Sequence, residues 1–166
     1  MKPTGTVLAA FVVGLLLGAL VTGWLVPATT AIGGADGAPP YSYSTSTASD
    51  VDAVLAGPGG WLHEITVADG VAVTGNGTVV HQADEEVQLT VTRTAPGSYE
   101  LAFETVPATT TAKSPDGPVA STVTWGVTLP TDYESVRITV DGTEISQVEN
   151  DGATTPRLLG LPHPLG

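Results

Sequence analysis

The 166-residue chain has no cysteine, and its one methionine is Met1. That excludes a disulfide scaffold, a Cys-ligated zinc site, an iron–sulfur centre, a blue-copper site and a thiol nucleophile, because each needs sulfur that is absent. A lipoprotein anchor is excluded too, for lack of a thiol to acylate. Cations are nearly as scarce. The chain carries 5 Lys+Arg against 17 Asp+Glu, a formal net charge of −12. Only 13% of residues are charged, about half the usual quarter. Missing cations therefore make the imbalance as much as added carboxylates do. So anionic a surface repels phosphate, and no DNA or RNA partner is expected. Catalytic signatures are missing as well. There is no GxSxG, HExxH, SxxK or Gly-rich phosphate loop, and the spacing of Ser and His supports no triad. No catalytic residue, cofactor or metal is expected.

One long apolar run is present. Val7 to Val26 reads VLAAFVVGLLLGALVTGWLV, 20 residues without charge or proline. As a helix it spans about 30 Å, the hydrocarbon thickness of a bilayer. Trp24 sits near one end, where an amphipathic ring favours the headgroup region, and Pro27 ends the pattern. The rival reading is a cleaved signal peptide, with Lys2 as its basic start and Thr29-Thr30-Ala31 as a small-residue cleavage site. The length of the run favours an anchor. Lys2 precedes the run, and no Lys or Arg follows before Arg93. The positive-inside rule then puts residues 1–6 in the cytoplasm and residues 27–166 outside the cell. Small residues recur at every fourth position, Thr6, Ala10, Gly14, Gly18 and Thr22. Stacked on one helix face, they allow close approach of a second copy or of a partner helix.

The portion beyond the span holds 4 Lys+Arg and 17 Asp+Glu, a net of −13. At low salt such self-repulsion opposes a compact state, whereas salt near 1 M shortens the Debye length to about 3 Å and screens it. Acidic, Lys-poor and rich in Val, Ala and Thr, the chain resembles in composition the secreted and membrane-anchored surface proteins of halophilic archaea. The resemblance implies a protein that folds in brine and names no family.

Residues 27–48 read as a flexible Ala/Thr/Ser/Pro linker, ending in the run Tyr41 to Thr47, with a reach of about 25 Å. A short helix follows, capped by Ser49 with Asp52 completing a capping-box-like pattern. Val51, Val54 and Leu55 share its face, and Gly57-Pro58 ends it. From Trp61 the apolar period becomes two. Strands are predicted at 61–67, 71–74, 78–82, 86–93, 98–105, 119–129, 134–140 and 143–148. Val87, Leu89, Val91, Leu101, Phe103, Val123, Trp125, Val127, Val136 and Ile138 fall on inward faces, with Trp125 at the centre and Phe103 and Tyr99 near it. Asn76-Gly77 and Asp141-Gly142 read as two-residue hairpin turns. The fold expected is mainly β: a transmembrane helix followed by an Ig-like antiparallel β-sandwich over 49–150, with a small β-barrel as the alternative. Residues 151–166, with three prolines, read as an extended tail whose Leu158, Leu159 and Leu161 lie on the sandwich.

The chemistry-bearing residues are few. His63 shares a strand face with Trp61, Ile65 and Val67 and reads as a core or rim residue, since a zinc site needs three or four convergent ligands. A turn at Asn76-Gly77 would put His81 on the face opposite Val71 and Val73, exposed. His163 sits between prolines in the tail. Asp84-Glu85-Glu86 and the pair Asp132 and Glu134 read as solvated acids. Asn76-Gly77-Thr78 is an N-glycosylation sequon, at a hairpin tip on this reading. The connection Pro107 to Pro118 carries Lys113, one of the few outer cations. The functional expectation is a single-pass surface protein with a binding, adhesion or structural role at the cell envelope, its partner an envelope protein or a glycan. An accessory subunit of a membrane complex, assembled through the span, is the alternative. An extracytoplasmic enzyme is a remote third.

Overall fold

The computed structural model describes residues 29–33, 38–109 and 117–165. The described residues form ten strands and a short helix. In chain order these are β1 (Thr29–Gly33), β2 (Tyr41–Ala48), α1 (Val51–Leu55), β3 (Trp61–Val67), β4 (Gly70–Gln82), β5 (Glu85–Ala95), β6 (Ser98–Pro107), β7 (Pro118–Leu129), β8 (Ser135–Val140), β9 (Thr143–Glu149) and β10 (Arg157–Gly160). They make two sheets, one of six strands in the order β1-β2-β7-β4-β3-β10 and one of four in the order β5-β6-β8-β9. The inner faces pack against each other as a β-sandwich.

Alternation dictates what lies between the sheets, since successive side chains of a strand point to opposite faces. The ten residues expected to form the core are all buried, and Leu62, Val71, Val73, Tyr99 and Leu129 join them. The centre is an aromatic pair. The Trp125 ring of one sheet meets the Phe103 ring of the other edge-on, with centroids 4.9 Å apart and planes at 65°, an arrangement that favours aromatic quadrupoles.

Several expectations are corrected. Asn76-Gly77 is not a turn: β4 runs unbroken through both residues and pairs with β7 along its whole length. Interior contacts, not turn chemistry, set the glycines here. A Cβ at Gly75 would overlap the Trp125 indole, and one at Gly77 would overlap the Leu165 side chain. The Asp141-Gly142 turn does form, with both residues at positive φ (47° and 77°) between β8 and β9, as a tight hairpin demands. Residues 29–33 and 41–48, expected within the linker, are strands that extend one edge of the larger sheet. Their signal was present. Tyr41, Tyr43, Thr45 and Thr47 alternate with Ser42, Ser44 and Ser46, and Tyr43 is buried beside Trp125. The α1 cap is Asp50, not Ser49: its Oδ1 accepts from the Ala53 N–H at 3.0 Å.

The sandwich is not wholly antiparallel, because β6 and β8 pair in parallel. Between them the chain crosses to the other sheet as β7 and returns, which restores its direction. The tail is not merely extended. Its residues 157–160 pair with β3 as β10, and Leu161 and Leu165 are buried. Leu159 packs at the core margin, whereas Leu158 points outward and is 70% exposed. Among the described residues no helix is long and apolar enough to cross a membrane. The apolar run 7–26, with Ala10, Gly14, Gly18 and Thr22, lies outside the described residues, as does Lys113.

Candidate functional site

The residues singled out in the sequence do not converge on a reaction centre. Among the described residues no three His, Asp or Glu side chains are placed to share a metal ion. His63 faces outward from β3, half-buried. Asp84 occupies the β4–β5 turn, where its carbonyl accepts from the Ala108 N–H at 2.8 Å, and the Glu85 carboxylate accepts from the Gln82 N–H at 3.0 Å. Asp132 and Glu134 are exposed on either side of the buried Tyr133. Asn76 lies mid-strand, half-buried, and its Nδ2 donates to Thr124 Oγ1 at 3.0 Å. Asn76 therefore does not stand at a hairpin tip.

His81 is corrected most sharply. With β4 unbroken, the alternation that buries Val71 and Val73 carries on to His81, which is 6% exposed. Its Nδ1 lies 2.8 Å from the Gln82 carbonyl oxygen and therefore carries the proton. Nε2 is hydrogen-bonded with Ser121 Oγ at 2.7 Å, and Ser121 in turn is 2.7 Å from Thr47 Oγ1. A serine hydrogen-bonded to an oriented imidazole has the geometry of a nucleophile and its base. Ser121, however, is 1% exposed and faces the sandwich interior. The chain of hydroxyls satisfies buried polar groups and ties β2, β7 and β4 together, with no path for a substrate.

A second buried polar group was missed in the sequence. Glu64 points inward from β3 and is 7% exposed. Arg157 of β10 pairs with it at 2.5 Å, and also with Asp151 at 3.1 Å and the Glu149 carbonyl at 2.9 Å. Tyr133 is buried next to this pair. Burial first, and then the Glu64 carboxylate, hold its hydroxyl above the ordinary value of 10.0. Both ionic partners sit on inward positions of paired strands, Arg157 opposite Glu64 in register. The group fastens the tail to the sheet.

What the fold leaves open is a surface. The outer face of the four-stranded sheet is charged. It carries Glu86, Glu100, Glu104 and Arg137, with Arg137 3.4 Å from Glu100. The outer face of the six-stranded sheet is the opposite. Across β10, β3, β4, β7 and β2 its residues are Leu158 and Gly160; Trp61, His63, Ile65 and Val67; Ala72, Thr74 and Asn76; Thr122, Thr124, Gly126 and Thr128; and Ser42, Ser44 and Ser46. No Asp, Glu, Lys or Arg occurs among them, in a chain with a net charge of −12. The three exposed large apolar side chains among the described residues, Trp61, Val67 and Leu158, lie on this face. At one end, where α1 contacts β7, the outward Ala120 and Thr78 are buried. The remaining outward residues are half-buried or exposed among the described residues, with a shallow depression of about 340 Å³ whose lining includes Pro40, Tyr41, Ala72, Thr74, Gly126 and Thr128. The contrast between the two sheets is not legible in the sequence, because alternation does not show which strands are neighbours.

No protein-family model matches the chain, and no curated protein or solved structure matches it.

Proposed function

We propose that this protein is a non-catalytic binding module, held at the outer surface of a cell membrane by residues 7–26. The carrying observation is the charge-free outer face of the six-stranded sheet. In a −12 chain no carboxylate falls on the named outward positions of this face, and the exposed large apolar side chains of the described residues gather there. Contiguous patches of that kind mark contact surfaces. The N-terminal apolar run and the placement of Lys2 support a single-pass, N-in topology. The acidic composition supports an environment of high salt.

Fractionation of cells tests the placement. The full chain is expected in the membrane fraction after alkaline wash, with its C-terminal portion digested by protease added to intact cells. Recovery in the cytosol would end the reading. Assembly through the Gly14 and Gly18 face is the second role, favoured by the recurrence of small residues in the run. Under it, Gly14→Leu with Gly18→Leu abolishes co-purification of a partner that changes on the sandwich face leave intact.

A further inference from the structure

We infer that the outer face of the six-stranded sheet binds a neutral, extended polysaccharide, with Trp61 as its stacking platform. This rests on the binding-module reading above and names the ligand class.

The register across the sheet lines up two rows of side chains. One runs Gly160, Trp61, Asn76, Thr124, Ser44, and the next runs Leu158, His63, Thr74, Gly126, Ser42. Each row crosses five strands, about 19 Å at the usual strand spacing, a length that holds a short oligosaccharide. In the first row Trp61 stands beside Gly160, where nothing lies within 4 Å of an added Cβ. Trp61 itself is 39% exposed. Next to it comes the Asn76 amide, bonded to the exposed Thr124 hydroxyl at 3.0 Å. In the second row Gly126 lines the depression together with Ala72, Thr74, Thr128 and Ser42; the Thr74 hydroxyl donates to the His63 carbonyl at 3.5 Å.

Hydroxyls that both donate and accept, beside an exposed aromatic ring, match a sugar, which offers hydroxyl edges and C–H faces. Charge decides between sugars. A face without cations offers no charge-assisted partner to uronates, sulfates or phosphates. A protein partner fits less well. Protein interfaces favour aromatic, Met and Arg anchors and are depleted in Ser, whereas this face carries no Met or Arg and has Ser, Thr or Gly at nine of its sixteen named outward positions.

The test uses the full chain in detergent at high salt. Sedimentation with insoluble cellulose, chitin, mannan and starch is compared with sedimentation with alginate beads. Retention is expected on at least one neutral polymer and not on alginate. Trp61→Ala and Gly126→Val are each expected to weaken that retention at least tenfold. Trp61 is a surface residue, and a Cβ at Gly126 meets only Thr74 Cγ2 at 3.6 Å, an ordinary contact; unchanged thermal melts of both variants confirm folding. Retention on alginate equal to that on the neutral polymers overturns the inference, as does retention indifferent to both substitutions. If no polymer is retained but sedimentation equilibrium shows a dimer that Gly126→Val dissociates, the occupant is a second copy. The polysaccharide is then wrong, while the binding-face reading stands. If no polymer is retained and the chain is monomeric, both fail.

Discussion

At Gly75 the chain gives up a side chain to seat the indole of Trp125, and nothing in the local sequence announces it. The pair Asn76-Gly77 looks like a turn by every local rule, because Asn and Gly tolerate positive φ. The tertiary need for space at Gly75 and Gly77 wins. Gly75→Ala, which presses a methyl into the indole, is expected to destabilise the domain by about 2–3 kcal/mol, read from denaturant melts. A neutral outcome would mean that the ring has room to move. Glu64 and Arg157 give the second prediction at this scale. Glu64→Ala removes the buried one of Arg157's two carboxylate partners and should cost about 3 kcal/mol, the low end for a broken buried pair, because Arg157 keeps Asp151 and 29% exposure. A double-mutant cycle with Arg157→Ala should recover part of that loss; strict additivity would show that the two do not interact. Tyr133 supplies the pH dependence. Its hydroxyl resists ionisation when folded and titrates near 10.0 when unfolded. Above about pH 10 the unfolded state therefore holds fewer protons than the folded one, and stability falls as pH rises. Tyr43, also raised by burial, acts in the same direction. In Tyr133→Phe the fall in melting temperature over about pH 9 to 11 should be shallower, and an unchanged slope would contradict the assignment.

At the scale of the element, legibility follows local alternation. Strands β3, β5, β6, β7, β8 and β9 sit within two residues of where period two puts them, because each has a buried and a solvated face. Elements whose alternation is Tyr/Thr against Ser, such as β2, read as polar linker. Hydropathy alone does not separate a half-buried threonine from a solvated one. β10 was hidden for a different reason. Its role depends on a pairing with β3 across some 90 residues of chain, and on Arg157 meeting Glu64, a contact no local pattern encodes. The tail is therefore structural. Leu165 fills the space above Gly77, and its N–H donates to the Thr78 carbonyl at 2.7 Å. Leu165→Ala is expected to cost about 2–4 kcal/mol, as a truncated core leucine does, measured by the same melts. A surface tail would give a value near zero.

Over the whole molecule, the division of charge between the two sheets carries the functional account. It was invisible in the sequence because it depends on which strands are neighbours. Residue by residue, the outer positions of β2, β3, β4 and β7 look like ordinary Thr/Ser surface. Assembled, they form one neutral face on an anionic body. The same charge predicts a salt requirement. Melting temperature should climb as KCl rises from about 0.1 M to about 3 M, since screening removes carboxylate repulsion, and a flat profile would count against a high-salt habitat. The absence of cysteine makes the central claim directly measurable, because one introduced thiol is the only one in the chain. Thr124→Cys puts it on the neutral face, and Val123→Cys, one residue away, puts it in the core. With a membrane-impermeant maleimide on intact cells in high salt, the account predicts rapid labelling of Thr124→Cys and none of Val123→Cys. Labelling of Thr124→Cys only after lysis, or equal labelling of the two variants, would contradict it.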